Sequence, residues 1–562
     1  LIEASLARAT SYFKENPLVD EWQIQDRTTT PTTISGGKGR FERDNDSETL
    51  QLRAKSTHLI GRHELRFGIG LEDVDYSSFR DYTGPPITLS DGQQTASGVR
   101  VTVLADDTYG RIHRVSRANM TRTRQSHQEN LGLFLQDRVQ IGSRLTLNAG
   151  IRYERQYLEG NNGSFTFDDN WAPRLGLVYD ATGTGRIKVF GSYGVYFAKI
   201  PNNLALSLFR GGGRVLRADY FDAALTDPVP EGVEALGTTQ HLLFSNLEPA
   251  VVDPGARATY KREAAVGVEW EVVPKLNLGI RYLHRDMPRV LEDVGTAAMV
   301  LHFTGEIESI QYFVTNPRQG FPDTVNDIGA FEDPIHRYDS IELTAKKRFA
   351  DNWTLLASYR WSDLRGTYEG YYRNDTGRSS PNNSGLFDFP TDDPSYTAIG
   401  VPVFGFSGDI RHLGNPGPLP NDRTHQLKVH GAYSFDFGLT VGGGLWVSSG
   451  RPLTPMAANP VYDRPGDIPE APRGSGIETE NGFKRRTSTT STLDLHLDYA
   501  VSIKSNSRLV LLLDAFNLFD SDEVAEFDQN TELGYLEPNP DFGRAVVFQQ
   551  PREIRLAVRF EF

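Results

Sequence analysis

One pattern constrains this chain more than any other: apolar and polar residues alternate with a period of two. At the C-terminus Ile554, Leu556, Val558, Phe560 and Phe562 share one face, and Glu553, Arg555, Ala557, Arg559 and Glu561 share the other. Side chains that point alternately to opposite sides define a β-strand, here with one apolar and one wet face. The pattern recurs at Leu493, Leu495, Leu497, Tyr499, Val501 and Ile503 against Asp494, His496 and Asp498. It recurs again at Leu145, Leu147, Ala149, Ile151 and Tyr153 against Asn148, Arg152 and Glu154, and at Leu276, Leu278, Ile280 and Tyr282 against Asn277 and Arg281. Trp353, Leu355, Ala357, Tyr359 and Trp361 stand against Thr354, Ser358 and Arg360. Helical spacing is scarce and short.

About 16 segments meet the alternation criterion. They span 2–14, 47–57, 62–78, 124–141, 144–158, 171–182, 186–199, 259–274, 275–292, 337–350, 352–372, 424–437, 438–451, 488–503, 507–521 and 550–562. Most exceed the roughly 5–6 residues of a strand in a globular sheet. They match or exceed the roughly 9–11 tilted residues that cross a bilayer. Short turns such as Ile60-Gly61-Arg62, Val273-Pro274-Lys275 and Ala350-Asp351-Asn352 alternate with long connections such as 200–258, 293–336, 373–423 and 452–487. An outer-membrane barrel requires that alternation, with short turns on the periplasmic side and long loops outside. If Phe562 ends a descending strand, counting back makes the first strand, from Ile2, an ascending one. Such a strand normally follows a periplasmic turn or domain.

Composition bounds the alternatives. A hydrophobic content of 38%, a mean hydropathy of −0.44 and the lack of any long apolar run exclude a helical membrane protein. They do not exclude a membrane barrel, whose strands are apolar on one face only. Cysteine is absent, which removes disulfides, zinc–thiolate sites and cysteine nucleophiles. A net charge of −14 argues against nucleic acid as a partner. The 23 Tyr and 31 Phe suit an aromatic-girdled barrel. The chain begins at Leu1 with neither a basic n-region nor an apolar h-region. The expectation is therefore a fragment or a processed product.

Several segments are similar to TonB-dependent outer-membrane receptors. They are Asn130-Leu-Gly-Leu-Phe-Leu-Gln-Asp-Arg138 followed by Arg144-Leu-Thr-Leu-Asn-Ala-Gly-Ile-Arg-Tyr-Glu154, then Ala172-Pro-Arg-Leu-Gly-Leu-Val-Tyr-Asp180. Gly366-Thr-Tyr-Glu-Gly-Tyr-Tyr-Arg-Asn-Asp375 and Asn421-Asp-Arg-Thr-His-Gln-Leu427 resemble the Oar-like branch, as do Asp514-Ala-Phe-Asn-Leu-Phe519 and Arg559-Phe-Glu-Phe562. In that branch a carboxypeptidase-regulatory-like domain and a plug precede the barrel. The resemblance implies an all-β transmembrane up-and-down antiparallel barrel with long extracellular loops. About 16 strands of a barrel of about 22 are present, and residues 1–562 are its C-terminal part. The plug and earlier strands are absent from the sequence. It further implies the outer membrane of a Gram-negative bacterium, uptake of a ligand, and a TonB energy complex acting through the plug. Outer-membrane lipid and the outer-membrane assembly machinery are the remaining expected partners.

Candidate sites follow from the faces. Val558, Phe560 and Phe562 resemble the signal read by the assembly machinery, whose physical sense is strand addition to an exposed edge; the bland alternative is an interfacial anchor. Tyr153, Tyr193, Trp270, Tyr282, Trp353, Tyr359, Trp361, Tyr433 and Tyr499 fit an aromatic girdle at the headgroup level. Arg152, Glu154, Arg281, Arg360, Lys428, His430, Asp494, His496 and Asp498 should face the lumen, as a solute path or plug contact or simply as wetted wall. Asp323, Asn326, Asp327 and Gly329 miss the spacing of a calcium loop, and Gly211 to Gly213 are not a phosphate loop. No catalytic constellation, metal site or cofactor is assigned, and the expectation is not an enzyme. Three rivals stand beside it: a passive 16-stranded porin, a surface adhesin or secretion-related barrel, and an outer-membrane enzyme, which would need a catalytic constellation that the sequence does not display.

Overall fold

The computed structural model describes the chain except residues 30–32, 86–98, 107–109, 120–122, 162, 201, 203–204, 207–208, 210–213, 223–235, 244–250, 296–311, 318–333, 374–377, 380–410, 460–463, 505–506 and 535–536. Sixteen long strands form one antiparallel meander. They are β1 (Ile2–Phe13), β2 (Arg40–Ile60), β3 (His63–Tyr82), β4 (Thr123–Ile141), β5 (Leu145–Gly160), β6 (Gly163–Asp180), β7 (Ile187–Phe197) and β8 (Tyr260–Val273). The second half comprises β9 (Leu276–Arg289), β10 (His336–Ala350), β11 (Trp353–Gly366), β12 (His425–Ser434), β13 (Leu439–Ser448), β14 (Thr490–Lys504), β15 (Ser507–Phe516) and β16 (Glu553–Glu561). Each strand pairs with its sequence neighbour, from β1 with β2 to β15 with β16. Each of the sixteen segments expected from alternation is one of these strands. Helix is confined to short pieces between strands, such as the four-residue turn Arg411–Gly414.

The registers show why the pattern is period two. Residues directly opposite in an antiparallel pair lie on the same face. One apolar row therefore runs from strand to strand. Leu6 faces Leu52, Leu52 faces Leu71, and Leu71 faces Leu131. Further along, Leu147 faces Leu177, Ile280 faces Leu343, and Leu343 faces Tyr359. At the far end Val441 faces Leu497, Leu497 faces Leu513, and Leu513 faces Leu556. Many of these side chains stand open, with Ile280 50% and Leu556 77% exposed, as a lipid-facing band would be without its lipid. The turns are equally local in origin. Asp351 and Asn352 both take positive φ, 54° and 66°, the primed-turn geometry that matches hairpin twist and that Asn and Asp tolerate better than other non-glycine residues.

Three features differ from the sequence reading. β2 and β3 run to 21 and 20 residues, well past the expected 47–57 and 62–78, because alternation continues beyond the apolar stretch with polar residues on both faces. The outer connection between β5 and β6 is only residues 161–162, so loop lengths do not alternate strictly. Here Phe165 and Phe167 prolong β6 above a bulge between Phe167 and Asn170. The long connections, finally, are not all loop. Gln23–Asp26, Thr33–Gly36, Val99–Asp106, Gly110–Asn119, Arg214–Asp222 and Gly237–Leu243 build a second, six-stranded sheet, including a parallel pair between Gln23–Asp26 and Val99–Asp106. Its core is Val99, Val101, Val115 and Phe221, with Trp22 and Ile24 packed on it.

β1 hydrogen-bonds to β2, and β16 to β15. Among the described residues no backbone ladder joins β1 to β16.

Candidate functional site

The face opposite the apolar row, the inner face, carries the chemistry. Its charges are mostly paired, along a strand or across adjacent ones. Arg152 donates to Glu154 at 2.6 Å, Arg281 to Glu342 at 2.6 Å, and Arg285 to Glu263 at 2.6 and 2.9 Å. Arg360 reaches Gln426 at 2.5 Å. His496 Nδ1 lies 2.6 Å from Asp514 and its Nε2 3.9 Å from Asp498, while Asp494 accepts the Asn517 amide at 2.9 Å. His430 meets the Trp446 ring edge-on at 4.7 Å, and Lys428 faces Trp446 in the register. The nine polar residues thus share one face but not one site. His430 lies on β12 and His496 on β14, with β13 between them.

Sequence reasoning missed a roof over part of this face. A polar row crosses four strands in register, Gln51, Glu72, Asn130 and Gln156. Glu72 collects Gln51 at 2.6 Å, Asn130 at 3.1 Å and the ammonium of Lys199. The segment after β7 is strapped down beside it. Gln156 donates to the Ala198 carbonyl and accepts from the Ile200 amide, both at 2.8 Å, and Gln128 donates to the Ile200 carbonyl at 2.8 Å. Side-chain amides here do the work of a neighbouring strand, which satisfies a buried backbone that has none. Above the strap, Leu158, Phe167, Ile200, Phe209, Leu291 and Val314 form an apolar core. The clue was Leu158, an apolar residue on an otherwise polar face.

Large side chains elsewhere lie flat on the inner wall. The Phe134 ring crosses Gly68 so closely that a Cβ there would sit 2.6 Å from it, and the Arg152 guanidinium covers Gly132 in the same way, at 2.4 Å. Such pairs cover backbone where no side chain stands.

The aromatic candidates fall on the apolar face at two levels. Trp270 faces Ile187 and Leu278, Trp353 faces Tyr433, and Tyr499 faces Leu439, all toward the short turns. Toward the long loops, Tyr153 meets Trp171 with ring centres 4.8 Å apart, Tyr193 faces Leu175, and Tyr282 donates to Asp339 at 2.5 Å. Tyr359 lies 2.8 Å from His425, and Trp361 faces Ile341. Val558 and Phe560 face Leu511 and Leu509 at the free edge, and Phe560 stacks with Phe562 at 5.9 Å. On the same face above the band, Asp73, His127 and Glu129 bring ligand atoms within 4.8 Å of one another. Asp323 to Gly329 and Gly211 to Gly213 lie outside the described residues.

A family model for an outer membrane beta barrel domain matches residues 9–170 and 159–441. The chain belongs to that family. Its place is accordingly the outer membrane of a Gram-negative bacterium. The chain is 28% identical to the TonB-dependent transporter Oar of Myxococcus xanthus, over 94% of this chain and 52% of that protein. It therefore spans about half the length of the curated relative it matches. The expected likeness to TonB-dependent receptors of the Oar-like branch is met by this relative. Two solved structures share the fold. FpvA of P. aeruginosa, bound to a heterologous pyoverdine, is 13% identical and is matched over 100% of this chain and 52% of its own, with a TM-score of 0.51. The outer membrane transporter YddB of Escherichia coli is 11% identical, over 100% of this chain and 60% of its own, with a TM-score of 0.51.

Proposed function

We propose that this chain is the C-terminal sixteen-strand part of a TonB-dependent transporter barrel. A plug and the earlier strands precede it in the whole protein. The likeness to Oar across nearly the whole chain carries this reading. The free edges of β1 and β16 support it. An unpaired strand edge in lipid leaves a row of unsatisfied amides and carbonyls, so both edges call for further strands. On this reading the nine polar wall residues, from Arg152 to Asp498, line the space a plug fills and a ligand crosses. A TonB complex acts on the plug rather than on this part. The aromatic residues anchor the band in the lipid interface, and β16 with Phe562 presents the edge that the assembly machinery pairs with. The function proposed is transport rather than an enzymatic reaction.

The porin alternative shares the strand count, so conductance separates the two. The whole gene product, reconstituted in a planar bilayer, should hold a low basal conductance, and deletion of its N-terminal plug should open it. A large ungated conductance from residues 1–562 alone, stable over many openings, would favour the porin.

A further inference from the structure

Against the paired charges of the inner wall, one group stands out. Tyr196 on β7 folds back over Gly194, where a Cβ would come 2.8 Å from the phenol oxygen. Arg174 on β6 lies opposite Gly194 in the register and places its guanidinium 4.6 Å from the centre of the Tyr196 ring. Lys261 on β8 lies opposite Tyr196 and brings its ammonium 5.7 Å from the same ring. Two cations from two different strands thus share one aromatic platform. Among the described residues neither has a carboxylate within ion-pair distance. The nearest acid along β8, Glu263, is held by both donors of Arg285. Elsewhere on the wall Arg152, Lys188, Arg281 and Arg285 each have a carboxylate partner.

We propose that Arg174 and Lys261, held on Tyr196, form an oxyanion-binding subsite on the lumen wall for the carboxylate or phosphate group of a solute. The physical case is one of preorganisation. Stacking on a ring orders a guanidinium without using its N–H donors, which stay free for a planar, bidentate oxyanion. The Lys261 ammonium adds a second positive charge at the same ring. Phe134, Asn148, Arg152 and Ser192 border one concavity with Arg174 and Tyr196, so neutral donors and an apolar wall flank the guanidinium, and Lys261 stands at its margin across β7. The subsite needs the lumen to be wet at this level but does not require energy coupling, so it stands apart from the transport reading.

The test is calorimetry on the whole protein in detergent, titrated separately with inorganic phosphate and with succinate at low ionic strength. Saturable binding of at least one is expected, weakened at least tenfold in Arg174→Gln/Lys261→Gln. Lys346→Gln, on the inner face of β10, should leave it unchanged. Arg174→Lys should lose less than Arg174→Gln, because the charge remains while the fork is lost. Heat-modifiable mobility on gels shows that each variant is folded. Wild-type protein that binds neither anion, or a double variant that binds as tightly as wild type, would overturn the proposal.

Discussion

Arg114 donates to Glu537 at 2.9 Å across 423 residues of chain. Glu537 belongs to the connection between β15 and β16, and Arg114 to the second sheet, built from the connections that follow β1, β3 and β7. Arg27, from the first of these connections, reaches the same carboxylate. The three side chains are 11–21% exposed. The last outer loop is therefore clasped to the loops of the first strands by one acid between two bases.

Replacing Glu537 by Ala leaves two half-buried guanidinium groups facing each other. The clasp should lose about 1–3 kcal/mol, the cost of stranding partly buried charged hydrogen-bond partners. Limited proteolysis should then cut residues 517–552 faster, with the barrel's own unfolding midpoint unchanged. Equal cutting rates would show that the clasp holds nothing.

The wall pair Phe134 and Gly68 predicts a packing defect. A Cβ at residue 68 would meet the Phe134 ring at 2.6 Å and the Ala54 carbonyl at 2.5 Å. Gly68→Val should destabilise the barrel by about 1–3 kcal/mol, as overpacking does. Denaturant unfolding from lipid vesicles measures it, and a neutral result would mean that the ring swings clear at no cost.

Leu497 sits between Val441 and Leu513 in the apolar row. Leu497→Arg should cost about 2–4 kcal/mol if the residue lies near the bilayer midplane. Refolding titrations into vesicles measure the cost. A penalty below about 0.5 kcal/mol would place the residue at the interface.

The second sheet should respond to pH through His113. Burial, and then the nearby Arg111, hold its pKa below the ordinary histidine value. Its neutral form therefore fits the fold and its charged form does not. Above an ordinary histidine pKa of about 6.5 the ring is neutral in both folded and open states and costs nothing. As pH falls below that value the open state takes up the proton first, and the sheet weakens. Amide exchange in Val99–Asp106 and Gly110–Asn119 should speed up more between pH 7 and pH 5 than intrinsic exchange allows. His113→Gln should remove the excess.

Much of this fold was legible because a membrane strand writes its two environments into alternate residues. Leu276, Leu278, Ile280 and Tyr282 could have no other arrangement. The loop sheet was not read, although Val99, Val101 and Val103 alternate as clearly as any barrel strand. They lie inside a long connection whose partners, Gln23–Asp26 and Arg214–Asp222, come from distant parts of the chain, and short-range pattern cannot reveal such pairing. The bulge between Phe167 and Asn170 hid the outer end of β6, since one irregularity shifts the period. The faces of Arg152, Arg281 and His496 were readable, but their partners Glu342 and Asp514 depend on register. Tyr196 with Arg174 and Lys261 was invisible for the same reason, because three strands supply one residue each.

The central claim is that β1 and β16 are not neighbours in the whole protein. Paired cysteines test it most directly, at Ala4, Leu6 or Arg8 on β1 and at Ile554, Leu556 or Val558 on β16, in full-length protein in native outer membranes. A disulfide needs Cα atoms within about 7 Å, which adjacent strands offer at one register. The account predicts no disulfide in any combination, with β15–β16 control pairs such as Leu511→Cys with Val558→Cys forming readily. An efficient β1–β16 disulfide at one register would contradict it and make this chain a barrel closed on itself.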